Sequence, residues 1–266
     1  VCLIAPSIGH RERTLAVAEA GHSVHVEVQG LRPGREYWYR FNAGGHASPI
    51  GRTRTAPPLG VAVESLKLAY ASCQKYSAGY YSAHAALAAD QPDMVLFLGD
   101  YIYEEAHTGK GVRAHPAAEP VDLAGYRERY AWYKADADLQ SAHAAAPWMV
   151  TWDDHEVAND YGDDQDRTNP DPAVFLKRRA AAYQAFYENM PLRRTQRPVG
   201  PDMLLYRSKA WGDLARIQML DTRQYRNHRT CDAVSDGKRI PIDCSERSDP
   251  ARSLLGQTQE RWLQDE

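Results

Sequence analysis

At 266 residues the chain is long enough for one sizeable core, or for a large domain with a small companion. With 43% hydrophobic residues, a formal net charge of −3 and no long basic run, it gives nucleic-acid or membrane-surface binding no electrostatic support. No apolar stretch approaches the roughly 20 residues of a membrane span. The chain opens at Val1 without a signal segment, which reads as a trimmed N-terminus.

Residues 22–55 read as an antiparallel β module. His22-Ser23-Val24-His25-Val26-Glu27-Val28 alternates with its valines on one face, as a half-buried strand does. Leu31-Arg32-Pro33-Gly34 is a turn, and Glu36-Tyr37-Trp38-Tyr39-Arg40-Phe41 is a second, aromatic strand. This order resembles the last strands of a fibronectin type III-like domain. Residues 1–55 are therefore expected to form a partial β-sandwich lacking its first strands, with 56–64 as a linker.

From residue 65 the pattern becomes strand–helix–strand. Four apolar runs end in chemically useful groups: Leu66–Ser72 in Cys73, Met94–Gly99 in Asp100, Pro147–Trp152 in Asp153-Asp154-His155, and Ala215–Leu220 in Asp221. Each reads as a buried parallel strand with that group at its C-terminal rim. Ligands in open α/β sheets bind outside those rims, so the four endings are expected to converge. Residues 82–90 form a helix between the first two strands, and 122–145 are mostly helical with Tyr126, Tyr130 and Tyr133 on one face. Asp171-Pro172 caps a helix running to about Met190, where Tyr183, Phe186 and Tyr187 fit a core. A strand over 201–209 leads into the Asp221 strand, and a helix begins at Gln257.

The rim residues suggest metal chemistry. A carboxylate at a buried strand end is costly unless paired or coordinated, so Asp100 is a ligand or a turn cap, and Gly99 lets backbone or metal approach it closely. Tyr103 either packs or supplies a phenolate, which needs a hard ion such as Fe(III). Cys73 is either a small buried residue or a thiolate ligand suited to iron or zinc. In the cluster Asp153-Asp154-His155-Glu156 with Asn159 and Asp160, either Glu156 or Asp160 is expected to be exposed. The element resembles the Gly-Asn-His-Glu rim of dinuclear metallophosphoesterases, which makes Asp154 a ligand and His155 a donor to developing oxyanions. Asn159 offers an oxygen that suits calcium. Arg223 is either an ion-pair partner of Asp221 or a phosphate clamp, and Arg178 and Arg179 read as surface charges. Cys231 and Cys244 flank a polar loop; they are either unrelated thiols or a disulfide contributing ~3 kcal/mol and suited to an oxidising compartment.

Together, Leu-Ala-Tyr-Ala-Ser-Cys73-Gln, Leu-Phe-Leu-Gly-Asp100-Tyr-Ile-Tyr103-Glu, Thr-Trp-Asp153-Asp154-His155-Glu156-Val-Ala-Asn159 and Leu-Asp221-Thr-Arg223-Gln-Tyr-Arg resemble the PhoD-like alkaline phosphatases. The resemblance implies an α/β fold with metallophosphoesterase-like layers, strands flanked by helices, after the partial β module. It implies an exported enzyme, secreted or periplasmic, that hydrolyses phosphate monoesters and some diesters with Fe(III) and Ca2+. Cys73, Asp100 and Tyr103 would hold iron, with Asp100 bridging to calcium and Asp154 or Asn159 completing that shell. His155 and Arg223 would be catalytic, and Asp153 and Asp221 would stand behind them. The family's further strand end of Gly-Asp-x-His type does not follow Asp221, so residues 65–266 are expected to be the N-terminal part of a catalytic domain, with part of the shell absent.

Metal-assisted hydrolysis by an activated hydroxide or oxo group is the expected mechanism. Its alternatives are a phosphodiesterase or phospholipase D-type hydrolase, a metal-free thiol hydrolase using Cys73, His155 and Asp153, and a non-catalytic secreted module.

Overall fold

The structure is a computed structural model describing residues 2–4, 9–106, 109–115, 118–166, 171–235 and 238–266, so positions 236–237 of the Cys231–Cys244 loop lie outside it. The N-terminal strands are β1 (Cys2–Ile4), β2 (Gly9–Arg11), β3 (Glu36–Arg40), β4 (Asn42–Ala43), β5 (His46–Ala47) and β6 (Gly51–Arg54). They give one antiparallel sheet in the order β2-β1-β3-β6, plus the small β4-β5 hairpin. The aromatic strand is therefore central, and strands absent from the sequence reading, β1 and β2, flank it.

Residues 22–28 form no strand, contrary to their alternation. Side-chain contacts with the larger domain hold this half-buried segment instead. The His25 ring stacks on Tyr187 at 4.0 Å, and its Nδ1 lies 2.9 Å from the Leu192 carbonyl. Charge fixes the far side of the module: Arg52 donates to the carbonyls of Pro92 and Ala145 at 3.1 and 2.9 Å, and Arg54 pairs with Asp93.

The larger domain runs β7 (Leu68–Ala71), α1 (Ser82–Asp90), β8 (Met94–Leu98), α2 (Leu123–Lys134), α3 (Ala137–Ala145), β9 (Trp148–Thr151), α4 (Pro172–Asn189), β10 (Arg207–Trp211), β11 (Ala215–Met219), β12 (Asp232–Ser235), β13 (Lys238–Pro241) and α5 (Gln257–Asp265). β7, β8 and β9 form a parallel sheet in that order, with Ala71 opposite Phe97 and Phe97 opposite Val150. This register brings three of the four strand endings to one rim. β9 is wholly buried and β8 mostly so, whereas β7 is an edge strand with Tyr70 exposed.

The fourth ending arrives differently. β11 pairs antiparallel with β10 in a separate two-stranded sheet, and alternates in burial as a one-sided strand should. Strand structure starts only at Arg207. The hairpin still meets the rim, because Thr151 Oγ1 donates to the Leu220 carbonyl at 2.8 Å and Trp152 Nε1 to Asp221 Oδ1 at 2.9 Å.

Local capping explains the helices. The Asp136 side chain accepts from the N–H groups of Asp138 and Leu139 at 3.0 and 3.1 Å, which splits the helical stretch 122–145 into α2 and α3. Asp171 caps α4 by accepting from Ala173 N–H at 2.9 Å, with Pro172 in the first turn. The rings of Tyr126, Tyr130, Tyr133, Tyr183 and Phe186 are buried in one core beneath the rim. Arg178 and Arg179 are also buried, correcting the surface reading. Arg178 donates to Tyr126 Oη and Glu119, and Arg179 to the Pro201 and Asp163 carbonyls, so both brace loops. Among the described residues no helix is long and apolar enough to cross a membrane.

Candidate metal centre

The rim is assembled at a backbone cost. Cys73 and Asp100, the residues that end their strands in sequence, both adopt left-handed φ, 57° and 56°. For non-glycine residues this is unfavourable and is typical of functional sites. The two segments zip together beyond the sheet: Cys73 N–H donates to the Gly99 carbonyl and Gln74 N–H to the Asp100 carbonyl, both at 3.1 Å. Gly99 has φ 107°, and a Cβ there would sit 2.5 Å from the Asp153 nitrogen. Only glycine lets the end of β8 approach the end of β9 this closely.

The side chains gather on that scaffold. Tyr103 donates its hydroxyl to Asp100 Oδ2 at 2.9 Å, and the exposed Cys73 thiol interacts with both residues. Donor atoms of Asp100, Asp154 and His155 all lie within 4.8 Å of one another. Tyr133 Oη accepts from the N–H groups of Tyr76 and Tyr103 at 3.1 and 3.0 Å, pinning the loops that follow Cys73 and Asp100. Buried Arg129 adds donations to the carbonyls of Tyr103, Glu105 and Ala118.

Two carboxylates that sequence reading left without roles hold this cluster. Buried Glu156 accepts from Tyr101 N–H at 2.6 Å and Asp153 N–H at 2.9 Å, strapping the two strand ends together. Neither Glu156 nor half-buried Asp160 is exposed, so that expectation fails: the strap and the Asp160 N–H donation to Asp154 Oδ2 at 2.7 Å draw both inward. Glu104, also buried, lies 2.6 Å from His155 Nδ1 and accepts from Asn159 N–H at 2.6 Å. Its only sequence signal is its place directly after Tyr103.

Arg223 is an ion-pair partner, though not of Asp221. Its Nε lies 2.5 Å from Asp153 and its Nη2 3.1 Å from Asp154. Asp221 is fully buried and accepts from Trp152 Nε1 and the N–H groups of Arg223 and Gln224, so it shapes the turn that presents the arginine. Cys231 and Cys244 are bridged, with Cα atoms 5.5 Å apart.

The electrostatics ask for positive charge. Burial raises the Asp100 pKa, and Asp154 and Asp153 push it the same way, while His155 and Tyr103 oppose. Burial and then Asp100 raise Tyr103; burial raises Cys73, and Asp100 adds to the rise. Burial is thus the first cause that holds all three donors away from their anionic, metal-binding forms, and Asp100 adds to it at Tyr103 and Cys73. A polyvalent cation between them reverses each of those effects, so the donor set fits a hard, strongly Lewis-acidic ion. Burial alone would lower the His155 pKa, but Glu104, Asp154 and Asp100 outweigh it and lift it to about 9. A thiol hydrolase is poorly served: the Cys73 pKa moves up, and the groups acting on it are Ser72, Asp100 and Tyr103 rather than His155.

Residues 68–266 match the model of the PhoD-like phosphatases, and residues 5–57 that of the PhoD-like phosphatase N-terminal domain. The chain belongs to the PhoD-like phosphatase family. It is 48% identical over 255 residues to alkaline phosphatase D of Bacillus subtilis (strain 168), covering 94% of this chain and 43% of that protein. It also superposes on the solved structure of PhoD with a TM-score of 0.87 at 45% identity, over 94% of this chain and 48% of that one. The chain spans less than half the length of these PhoD relatives.

Proposed function

We propose that this PhoD-like rim hydrolyses phosphate esters, with Fe(III) held by Cys73, Asp100 and Tyr103, and Ca2+ held by Asp100 together with Asp154 or Asn159. The observation that carries the reading is the meeting of thiol, phenol and carboxylate on strained strand ends, each with its pKa displaced away from the charged form. When bound, such ions supply Lewis acidity toward phosphoryl oxygen and water.

The chain's own residues do the rest. His155 is kept protonated by Glu104, and its ring stacks on Tyr103 at 4.1 Å, so a proton is stored within reach of the donor cluster. That imidazolium can protonate a leaving alkoxide or stabilise charge on a transferring group. Arg223 neutralises Asp153 and half of Asp154, which fixes the second carboxylate's orientation and leaves its other oxygen to the Asp160 N–H. Among the described residues, contacts of the N-terminal module fall on Tyr187, Leu192, Pro92, Asp93 and Ala145 of the larger domain. The Cys231–Cys244 bridge suits an exported, secreted or periplasmic protein.

Turnover of a nitrophenyl phosphate monoester and the matching diester, with and without a chelator, tests the reading. Phosphate release abolished by chelator and insensitive to thiol alkylation at saturating metal supports it. Full activity after metal removal would contradict it. The ratio of the two rates separates a primary phosphatase from a phosphodiesterase or phospholipase D-type enzyme.

A further inference from the structure

Three arginines follow β11 at spacings of three: Arg223, Arg226 and Arg229. Two are committed to carboxylates. Arg223 binds Asp153 and Asp154, and Arg229 lies 3.3 Å from Asp160. Arg226 has no hydrogen bond or ion pair among the described residues, although it is half-buried. Its guanidinium is in electrostatic reach of Asp153, Asp160 and Asp154, and is repelled by Arg223. None of its nitrogens is among the buried side-chain atoms that lack a partner, so its donors reach solvent and stay open to a ligand.

The neighbouring turn makes room for this side chain. Gly162 packs against the Arg226 stem, and a Cβ there would lie 3.1 Å from Arg226 Cγ and 3.3 Å from Cδ. The same turn donates Asp160 N–H to Asp154 and Asp163 N–H to the Arg223 carbonyl at 2.9 Å. The segment that fixes Asp154 therefore also fixes where the Arg226 stem can run.

We propose that Arg226, rather than Arg223, meets the substrate's phosphoryl oxygens at this rim. A planar guanidinium with free donors can take two oxygens of a phosphoryl group side by side, and a lysine cannot reproduce that fork. The reach of Arg226 to Asp153, Asp154 and Asp160 puts an unpaired positive side chain beside the cluster, where it would add to the charge that bound metal ions offer a phosphate dianion. The assignment rests on the phosphatase reading above.

The test compares wild type, Arg226→Gln and Arg226→Lys as metal-loaded protein. Three quantities are measured: kcat/KM on a phosphate monoester, direct binding of inorganic phosphate by calorimetry, and metal content. The expected result for Arg226→Gln is a loss of about a hundredfold in kcat/KM, parallel weakening of phosphate binding and unchanged metal content, with only partial recovery in Arg226→Lys. Gly162→Ala, which crowds the stem, should weaken phosphate binding in the same direction. Phosphate binding and turnover in Arg226→Gln equal to wild type would overturn the assignment while leaving the phosphatase reading intact. Loss of metal in proportion to activity would overturn it too, by making Arg226 a structural residue. Wild type that neither binds phosphate nor turns over the ester would end both readings.

Discussion

In the N-terminal sheet two arginines that face the larger domain end on acceptors: Arg52 reaches Glu36 and the carbonyls of Pro92 and Ala145, and Arg54 reaches Asp93. At the parallel rim the opposite holds. Asp100, Glu156 and Tyr103 are crowded, their pKa values are raised first by burial, and Cys73 and Asp100 sit in left-handed backbone. Charges that are satisfied report how one sheet docks. Charges that are displaced and strained report where the other does chemistry. The contrast predicts that replacing a metal donor at the rim costs activity, whereas replacing an arginine of the module costs stability alone.

The sharpest expected effect is at Asp100. Asp100→Asn should lower phosphate ester turnover by more than about 100-fold, the upper range for residues that only support a metal ligand. Its melting temperature should hold or rise, because asparagine tolerates left-handed φ and removes a buried charge. A parallel loss of stability and activity would erase the contrast between the two sheets. Next comes Gly99→Ala, where a Cβ would meet the Asp153 nitrogen and φ is unsuitable for alanine; about 3 kcal/mol of stability should be lost in chemical denaturation.

A third prediction concerns pH in metal-free protein. The folded His155 pKa of about 9 lies above its ordinary 6.5, so its contribution is fully present below pH 6.5 and fades as pH rises through 9. Both side chains are largely buried and little screened, so the expected size is about 3 kcal/mol. Glu104→Gln should flatten stability between those two pH values, and an unchanged slope would remove Glu104 as the cause. The smallest effect is at Arg52→Ala, expected to cost about 1 kcal/mol while leaving kcat within twofold, because its carbonyl partners belong to the docking surface.

The rim was legible where a residue's chemistry clashed with its setting. A thiol and a carboxylate after apolar runs, and Gly99 before Asp100, told of a strand end built for close approach, and the fold brings Cys73, Asp100, Tyr103, Asp154 and His155 together. Cap chemistry was equally readable at Asp171. Alternation misled at residues 22–28, where side-chain docking on Tyr187 and Leu192 replaces a ladder. It was overlooked at β11, whose one-sided burial marks a hairpin rather than a parallel strand. Glu104 and Glu156 were opaque because a carboxylate among carboxylates carries no mark of burial until the fold turns it inward. Arg223 read equally as a partner of Asp221 or a phosphate clamp, and its actual partners, Asp153 and Asp154, come from a distant strand end that spacing along the chain cannot reveal.

The central claim is that Cys73, Asp100 and Tyr103 bind one ferric ion through sulfur, carboxylate and phenolate. Elemental analysis combined with a visible spectrum of the purified protein and of Tyr103→Phe tests it most directly. Stoichiometric iron with calcium, and a visible band that Tyr103→Phe abolishes or shifts strongly, is the predicted result. Iron absent from fully active protein, or a band indifferent to loss of the Tyr103 hydroxyl, would contradict it.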